Sequence, residues 1–347
     1  MNFPSPPRFR GMTVLLCWLL LLPTVLGCAA VGMILPQAST PTPSITPTLT
    51  LTPTPTLTST PTDIPAVCGG PPAMFILLVG SDARSNTYNA GLADAIRLVR
   101  VDFITPRIQL LAFPRDLYVE IPGIESHHGI THGKLNQAYL YGNPGYGYYD
   151  GPGQGPGLLS LTMEQNFGAG ADRYIAMNLQ AFRGIVDAVA GLEVELPYAI
   201  DGRVKKSTDP DFYFPAGYQH LDGYRTMLLA RMRTLGDFQR TEIQNLILLA
   251  FAEKLLSPSV IPQLPGAVEA FRSSVQTDLG PAETAQLTCL AAMLDSQKVE
   301  FISFPESLFT VTRVQDPVLG YTSILSADFN VLRTYVQNFK SGALPEP

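Results

Sequence analysis

The run AMFILLVG (residues 73–80), followed at once by SDAR (residues 81–84), decides the fold. A continuous apolar stretch ending in glycine reads as a strand buried on both faces. A charged turn at the carboxyl end of such a strand is where open α/β sheets bind ligands. Residues 95–103 and 107–113 are strand-like too, with Thr105-Pro106 as the turn between them. Further on, residues 174–178, 192–196, 299–304 and 309–312 read as strands. Residues 157–167, 180–190, 237–256, 262–274, 281–295 and 327–339 read as helices. The alternation predicts one α/β domain over residues 69–347, a central mixed sheet with helices on both faces.

Upstream the composition changes. Residues 12–35 (MTVLLCWLLLLPTVLGCAAVGMIL) carry no charge. At 1.5 Å per residue, a helix of that size can cross a hydrocarbon core of roughly 30 Å. Arg8 and Arg10 precede it, and no basic residue follows before Arg84. The positive-inside bias therefore predicts a single-pass protein of the cell membrane, with residues 1–11 as a cytoplasmic head and the rest outside. A cleaved lipoprotein signal ending at Cys28 is the alternative, and it also places the remainder outside. Residues 36–68 form a linker rich in threonine and proline, expected to be extended and to reach up to roughly 90 Å from the bilayer.

The chain has 347 residues, 15% of them charged, and a formal net charge of -6. That balance argues against a nucleic-acid partner, which favours a basic stripe. Any anionic ligand must then be held by a local cluster of arginines. The four cysteines are too few for a disulfide scaffold, and no CxxC pair exists. Cys68 and Cys289 lie outside the apolar span, where an oxidising compartment allows a bridge; two buried thiols are the other reading.

Three segments carry candidate chemistry. In the first, GSDAR (residues 80–84) and the loop after it, Asp82 and Asp94 could meet at one hard cation such as magnesium. Alternatively, Asp82 caps a turn and Asp94 merely starts a strand. In the second, FPRDLY (residues 113–118), Arg115 emerges on the same edge as Asp82 if the two strands are parallel neighbours. The competing reading is a surface pair of Arg115 with Asp116. In the third, ARMRTLGDFQRTEIQ (residues 230–244), Arg231 and Arg233 would share a face of an extended segment. Asp237 would cap the next helix, and Arg240 and Gln244 would stand one turn apart on it. Arginines converging at a helix amino terminus suit phosphate. Ile247, Leu248 and Phe251 continue that helix and read as core, with a lipid tail as the other possibility. His127, His128 and His132 read as a solvated loop rather than a zinc site. The glycine-rich residues 145–157 read as a loop near the site.

Taken in order, GSDAR, ADAIRLVRVD, LLAFPRDLYV, GKLNQAY, YIAMNLQAFRGIVDAVAGLEVELP and HLDGYRTMLLARMRTLGDFQRTEIQ resemble the LytR-CpsA-Psr family over roughly residues 75–256. The resemblance implies a phosphotransferase that moves a glycan polymer from a polyprenyl-pyrophosphate carrier to peptidoglycan or another wall acceptor. It implies that Asp82 and Asp94 hold Mg2+ or Mn2+. It gives Arg115, Arg231 and Arg233 catalytic roles, and it places Arg84, Lys134, Arg231, Arg233, Arg240 and Gln244 around the phosphates. One departure stands out: Leu92 occupies the position where the family usually has an arginine, two residues before the second aspartate. Arg97 and Arg84 are the candidates to replace it. A pyrophosphatase acting on the same carriers, or a non-catalytic membrane-tethered binder of lipid-linked glycan, is the alternative function.

Overall fold

The computed structural model describes residues 65–203, 209–232, 236–257, 259–260 and 272–343. The expected head, apolar span and nearly all of the linker lie outside these residues, as do Arg233 and most of the expected helix at 262–274. Among the described residues, no helix is long and apolar enough to cross a membrane.

The first three strands, β1 (Ala73–Ser81), β2 (Ala93–Asp102) and β3 (Arg107–Phe113), form an antiparallel meander. A short hairpin, β4 (Tyr118–Glu120) with β5 (His132–Lys134), leads into helices α1 (Leu135–Gly142) and α2 (Gln154–Phe167). The chain then returns as β6 (Arg173–Asn178), parallel to β1, and enters α3 (Leu179–Ala188). Next come β7 (Leu192–Leu196), the small β8 (Ile200–Asp201) and β9 (Tyr213–Phe214), and β10 (Gly217–Leu221), followed by α4 (Gly223–Ala230) and α5 (Asp237–Leu255). The last elements are β11 (Val275–Thr277), α6 (Pro281–Ala291), β12 (Val299–Ser303), the hairpin β13 (Thr310–Asp316) and β14 (Gly320–Ser326), and α7 (Phe329–Ser341).

Six strands make the central sheet in the order β11-β6-β1-β2-β3-β12. β1, β3, β6 and β12 run one way, while β2 and β11 oppose them, so the sheet is mixed as expected. Its two faces follow from the alternation of strand side chains. Leu77, Val79, Ile96, Leu98 and Leu111 face α1, α2 and α7, where Leu158, Met163, Phe167, Leu332 and Val336 fill the core. Met74, Ile76, Val99 and Leu110 face the other way, toward Leu290 of α6 and the end of α5. A third cluster, built from α3, α4, β7 and β10, packs on the far side of α5 through Ile243, Ile247 and Ala250. Helices therefore cover both faces.

Cys68 and Cys289 are joined by a disulfide with 5.8 Å between their Cα atoms, tying the lead into β1 to α6. The folded part begins slightly before the expected residue 69, since the Val67 N–H donates to the Phe103 carbonyl at 2.8 Å. Most expected elements fall within two residues of those observed. The expected helix 281–295 is an exception, for α6 stops at Ala291.

Candidate functional site

The carboxyl ends of β1, β3 and β6 share one edge of the sheet with the start of β2. β1 does not adjoin β3; β2 lies between them, antiparallel to both, and this still brings Asp82 and Arg115 to one edge. The loop joining β1 to β2 is closed reciprocally. The Asp82 N–H donates to the Leu92 carbonyl (3.1 Å), and the Leu92 N–H donates to Asp82 Oδ1 (2.6 Å). Gly91 makes the closure possible: its φ is +151°, and a Cβ there would lie 2.7 Å from Ser81 Oγ. The register then slips. Gly80 faces Ala95 while Ser81 faces Ala93, so Asp94 is the extra residue of a β-bulge. Bulges re-aim side chains beside functional sites, and this one sets the position of Asp94.

Arg115 Nη1 donates to Asp94 Oδ1 at 2.5 Å. Arg115 Nε also stands 3.7 Å from Asp116, whose carboxylate accepts from Lys134 Nζ at 3.1 Å. The Arg115–Asp116 pair thus exists, but the shorter contact is to Asp94.

Between the second face and α5 lies a cavity of about 360 Å³. At the strand-end edge its wall carries Ser81, Asp94, Asn178, Arg231, Arg240 and Gln244, with Arg97 three residues further along β2. Away from that edge it is apolar, bounded by Leu78, Leu110, Phe182, Leu248, Phe251, Leu255 and Phe301. Arg240 and Leu255 are fifteen residues apart on α5, so the cavity runs about 22 Å along the helix. A smaller hollow shares Asp94, Arg97, Arg240 and Gln244 and adds Arg115. The expectation that residues 247–251 are simply core is corrected in part: Leu248 and Phe251 line open space, whereas Ile247 is buried in the third cluster and also borders the cavity.

Arg97 is 2% exposed and Arg240 8%. Arg97 Nη2 donates to Asn245 Oδ1 at 2.9 Å and reaches Gln244 Oε1 at 3.5 Å. Burial pulls its pKa down to about 10, because a low-dielectric setting disfavours the charged form. Gln244 in turn donates to the Ala230 carbonyl at 3.3 Å, tying α5 to the end of α4.

Several expectations need correction. Arg231 is not in an extended segment. It is the C-cap of α4 with helical backbone angles, and Met232 after it turns into the third cluster. An eight-residue helix, capped by the Asp222 side chain accepting from the Arg225 N–H, carries Arg231 to the cavity wall instead. Gly236 is the N-cap of α5, so Asp237 is its first residue. Arg84 is exposed and lines neither cavity, whereas Arg97, the other candidate to replace the missing arginine, lines both. Lys134 lines neither cavity and pairs with Asp116, behind Arg115. Asp82 also lines neither, and it spends one oxygen on the Leu92 N–H.

His127 stacks on Tyr148 at 4.5 Å between ring centroids, and among the described residues no group of three or more His, Cys, Asp or Glu is placed to hold a metal. The glycine-rich segment is the lead into α2, and it braces the β1–β2 loop: the Gly145 N–H donates to the Asn89 carbonyl at 2.9 Å. From the other side, the Asn178 N–H donates to the Tyr88 hydroxyl at 2.9 Å, and that hydroxyl donates to the Ser274 carbonyl at 2.6 Å. Sequence reasoning passed over Ser81, Asn178 and Asn245. Asn178 had a readable signal, an asparagine at the junction of an apolar strand and a helix, where it caps α3 by accepting from the Ala181 N–H.

Polar side chains at the strand ends and apolar ones along α5 thus line two parts of one cavity. The LytR_cpsA_psr family model matches residues 70–328, and the chain belongs to that family. Among curated relatives it is 25% identical over 235 residues to the polyisoprenyl-teichoic acid–peptidoglycan teichoic acid transferase TagV of Bacillus subtilis (strain 168), covering 67% of this chain and 56% of the relative. It is 31% identical over 210 residues to the transferase of the same description, TagU, of Oceanobacillus iheyensis, covering 60% of this chain and 59% of the relative. The chain thus spans little more than half the length of these relatives. The crystal structure of B. subtilis TagV superposes with a TM-score of 0.59 at 24% identity, covering 78% of this chain and 97% of that one, and shows the same fold.

Proposed function

We propose that this chain transfers a glycan polymer from a polyprenyl-pyrophosphate carrier to peptidoglycan or another wall acceptor, from the outer face of the cell membrane. The observation that carries the proposal is the two-part cavity, with Asp94, Arg231, Arg240 and Gln244 at one end, Arg97 where that end meets the apolar wall, and an apolar channel beyond. The names of the relatives point to the same chemistry. A diphosphate is shielded from nucleophiles by its own charge, and preorganised guanidinium groups in a water-poor site neutralise that charge as it shifts during displacement. The apolar wall along α5 would take the isoprenoid tail and fix the diphosphate at the strand ends. An acceptor sugar hydroxyl attacks the glycan-side phosphorus. The bond from that phosphorus to the bridging oxygen breaks, polyprenyl phosphate leaves with the electron pair, and the hydroxyl proton passes to water or to a carboxylate at the edge.

The donor set fits a divalent cation of the Mg2+ or Mn2+ kind. Asp82 and Asp94 offer hard oxygens from adjacent strand ends, and Mg2+ is commonly held by one or two carboxylates with waters and substrate phosphates rather than by a full protein cage. When bound, it would neutralise diphosphate charge. Arg115, through its bond to Asp94, fixes the orientation of that carboxylate.

The test is incubation of the full-length chain with a synthetic polyprenyl-pyrophosphate glycan and wall fragments, with and without Mg2+. Glycan joined to the wall and release of polyprenyl phosphate, both dependent on the metal, are expected. Arg231→Ala should lower turnover about 10³-fold or more without changing the melting temperature. Free glycan phosphate as the product would make the chain a pyrophosphatase. Binding with no product would make it a receptor.

A further inference from the structure

Arg97 breaks the apolar middle of β2. Its neighbours Ile96 and Leu98 are fully buried in the first face, so alternation sends Arg97 to the second face, where it lines both the small polar hollow and the apolar cavity. Arg100 on the same strand has Asp102 at 2.8 Å, and Arg115 has Asp94. Arg97 differs from both. Its recorded partners are neutral amides, its Nε has none, and among the described residues no carboxylate lies within ion-pairing distance of it. A buried charge without a counter-charge is costly to keep, and a guanidinium is built to grip phosphate oxygens in pairs. Its Cα lies three residues past Asp94, about 10 Å further along the strand from the edge.

We infer that Arg97 is the binding site for the phosphate on the lipid side of the carrier, the phosphate that departs with the isoprenoid chain. The inference rests on the proposed reading of the cavity and assigns one of its two phosphates a separate cation. Arg115 and Asp94 stand at the edge, where the glycan-side phosphate meets the acceptor. Arg97 stands deeper, against the apolar wall, and keeps the isoprenyl monophosphate after the bond between the two phosphates has broken. Asn245 and Gln244 hold the guanidinium in place without neutralising it, so the counter-charge must come from the ligand.

Farnesyl phosphate and farnesol test this, titrated into the full-length chain in detergent with EDTA present, so that no divalent cation contributes. The parent chain should bind the phosphate about tenfold or more tightly than the alcohol. Arg97→Gln, which is neutral but keeps a side-chain donor, should reduce that preference to about twofold or less, leave farnesol binding unchanged, and melt at or above the parent temperature because the buried charge is gone. Arg97→Lys should keep most of the preference. An undiminished preference in Arg97→Gln overturns the role of Arg97 alone. A parent chain with no preference overturns it together with the reading of the cavity as a lipid-phosphate site. A glutamine variant that fails to fold, or that loses farnesol as well, makes Arg97 a scaffold residue and overturns the inference too.

Discussion

The two faces of the central sheet are each covered by helices, yet one is filled and the other is hollow. On the first, Leu77, Val79, Leu98 and Leu111 meet Leu158, Leu159, Met163 and Phe167 with no accessible surface left on any of them. On the second, Leu78 and Leu110 look across about 360 Å³ of space toward Leu248 and Phe251. The residue types are the same. What differs is the support of the covering helix. α5 is held off the sheet from its far side by the third cluster, and the bonds from Gln244 to Ala230 and from Arg97 to Asn245 fix its distance. Empty volume costs stability in proportion to its size, and occupation by the proposed isoprenoid tail would offset that cost.

The contrast can be broken most directly by truncation. Leu77→Ala on the filled face should cost about 2–5 kcal/mol in denaturant unfolding, and Leu248→Ala on the hollow face less than about 1 kcal/mol, since its side chain already borders open space. Equal losses would mean that the void collapses in solution. The hollow face is instead reinforced covalently. Cys289→Ser should cost about 2–4 kcal/mol and reduce hydrogen-exchange protection in α6 and the lead into β1, while α1 and α2 keep theirs. Overpacking sharpens the same comparison. Ala138→Phe, in the filled core, should destabilise by about 1–3 kcal/mol, whereas Ala252→Phe should be near neutral and should exclude farnesyl phosphate.

The smallest expected effect is a difference in sign at high pH. Burial raises the pKa values of Tyr139 and Tyr141, on the filled face, above 10, so above that pH the unfolded chain loses protons that the folded one keeps, and stability falls. Arg97 runs the other way. Between its folded value of about 10 and its higher ordinary value, the unfolded chain holds the extra proton, and stability rises with pH. Each group can change the slope by at most about 1.4 kcal/mol per pH unit. Replacing Tyr139 by Phe should therefore flatten the alkaline loss measured by pH-dependent melting, and Arg97→Gln should steepen it.

Much of this was legible in the amino-acid order, for identifiable reasons. The strands of the central sheet are continuous apolar runs, and the motifs of the site sit where those runs end. α4 was missed because its eight residues are too few to show a helical period, although Asp222 ahead of it is a good N-cap. That omission made Arg231 look extended. The bulge at Asp94 leaves no trace in composition, since an extra residue in a strand is visible only in its pairing. The cavity was hidden for a similar reason. A leucine that fills a core and a leucine that lines a void have the same side chain, and only the placement of α5 tells them apart.

The bridge between Cys68 and Cys289 spans 221 positions of sequence and closes them into one ring that contains every residue of the proposed site. A protease that cuts the backbone anywhere inside that ring leaves two pieces still fastened through sulfur. On a gel without reductant the clipped molecule would keep its mass, and only a thiol would reveal that the chain had been cut.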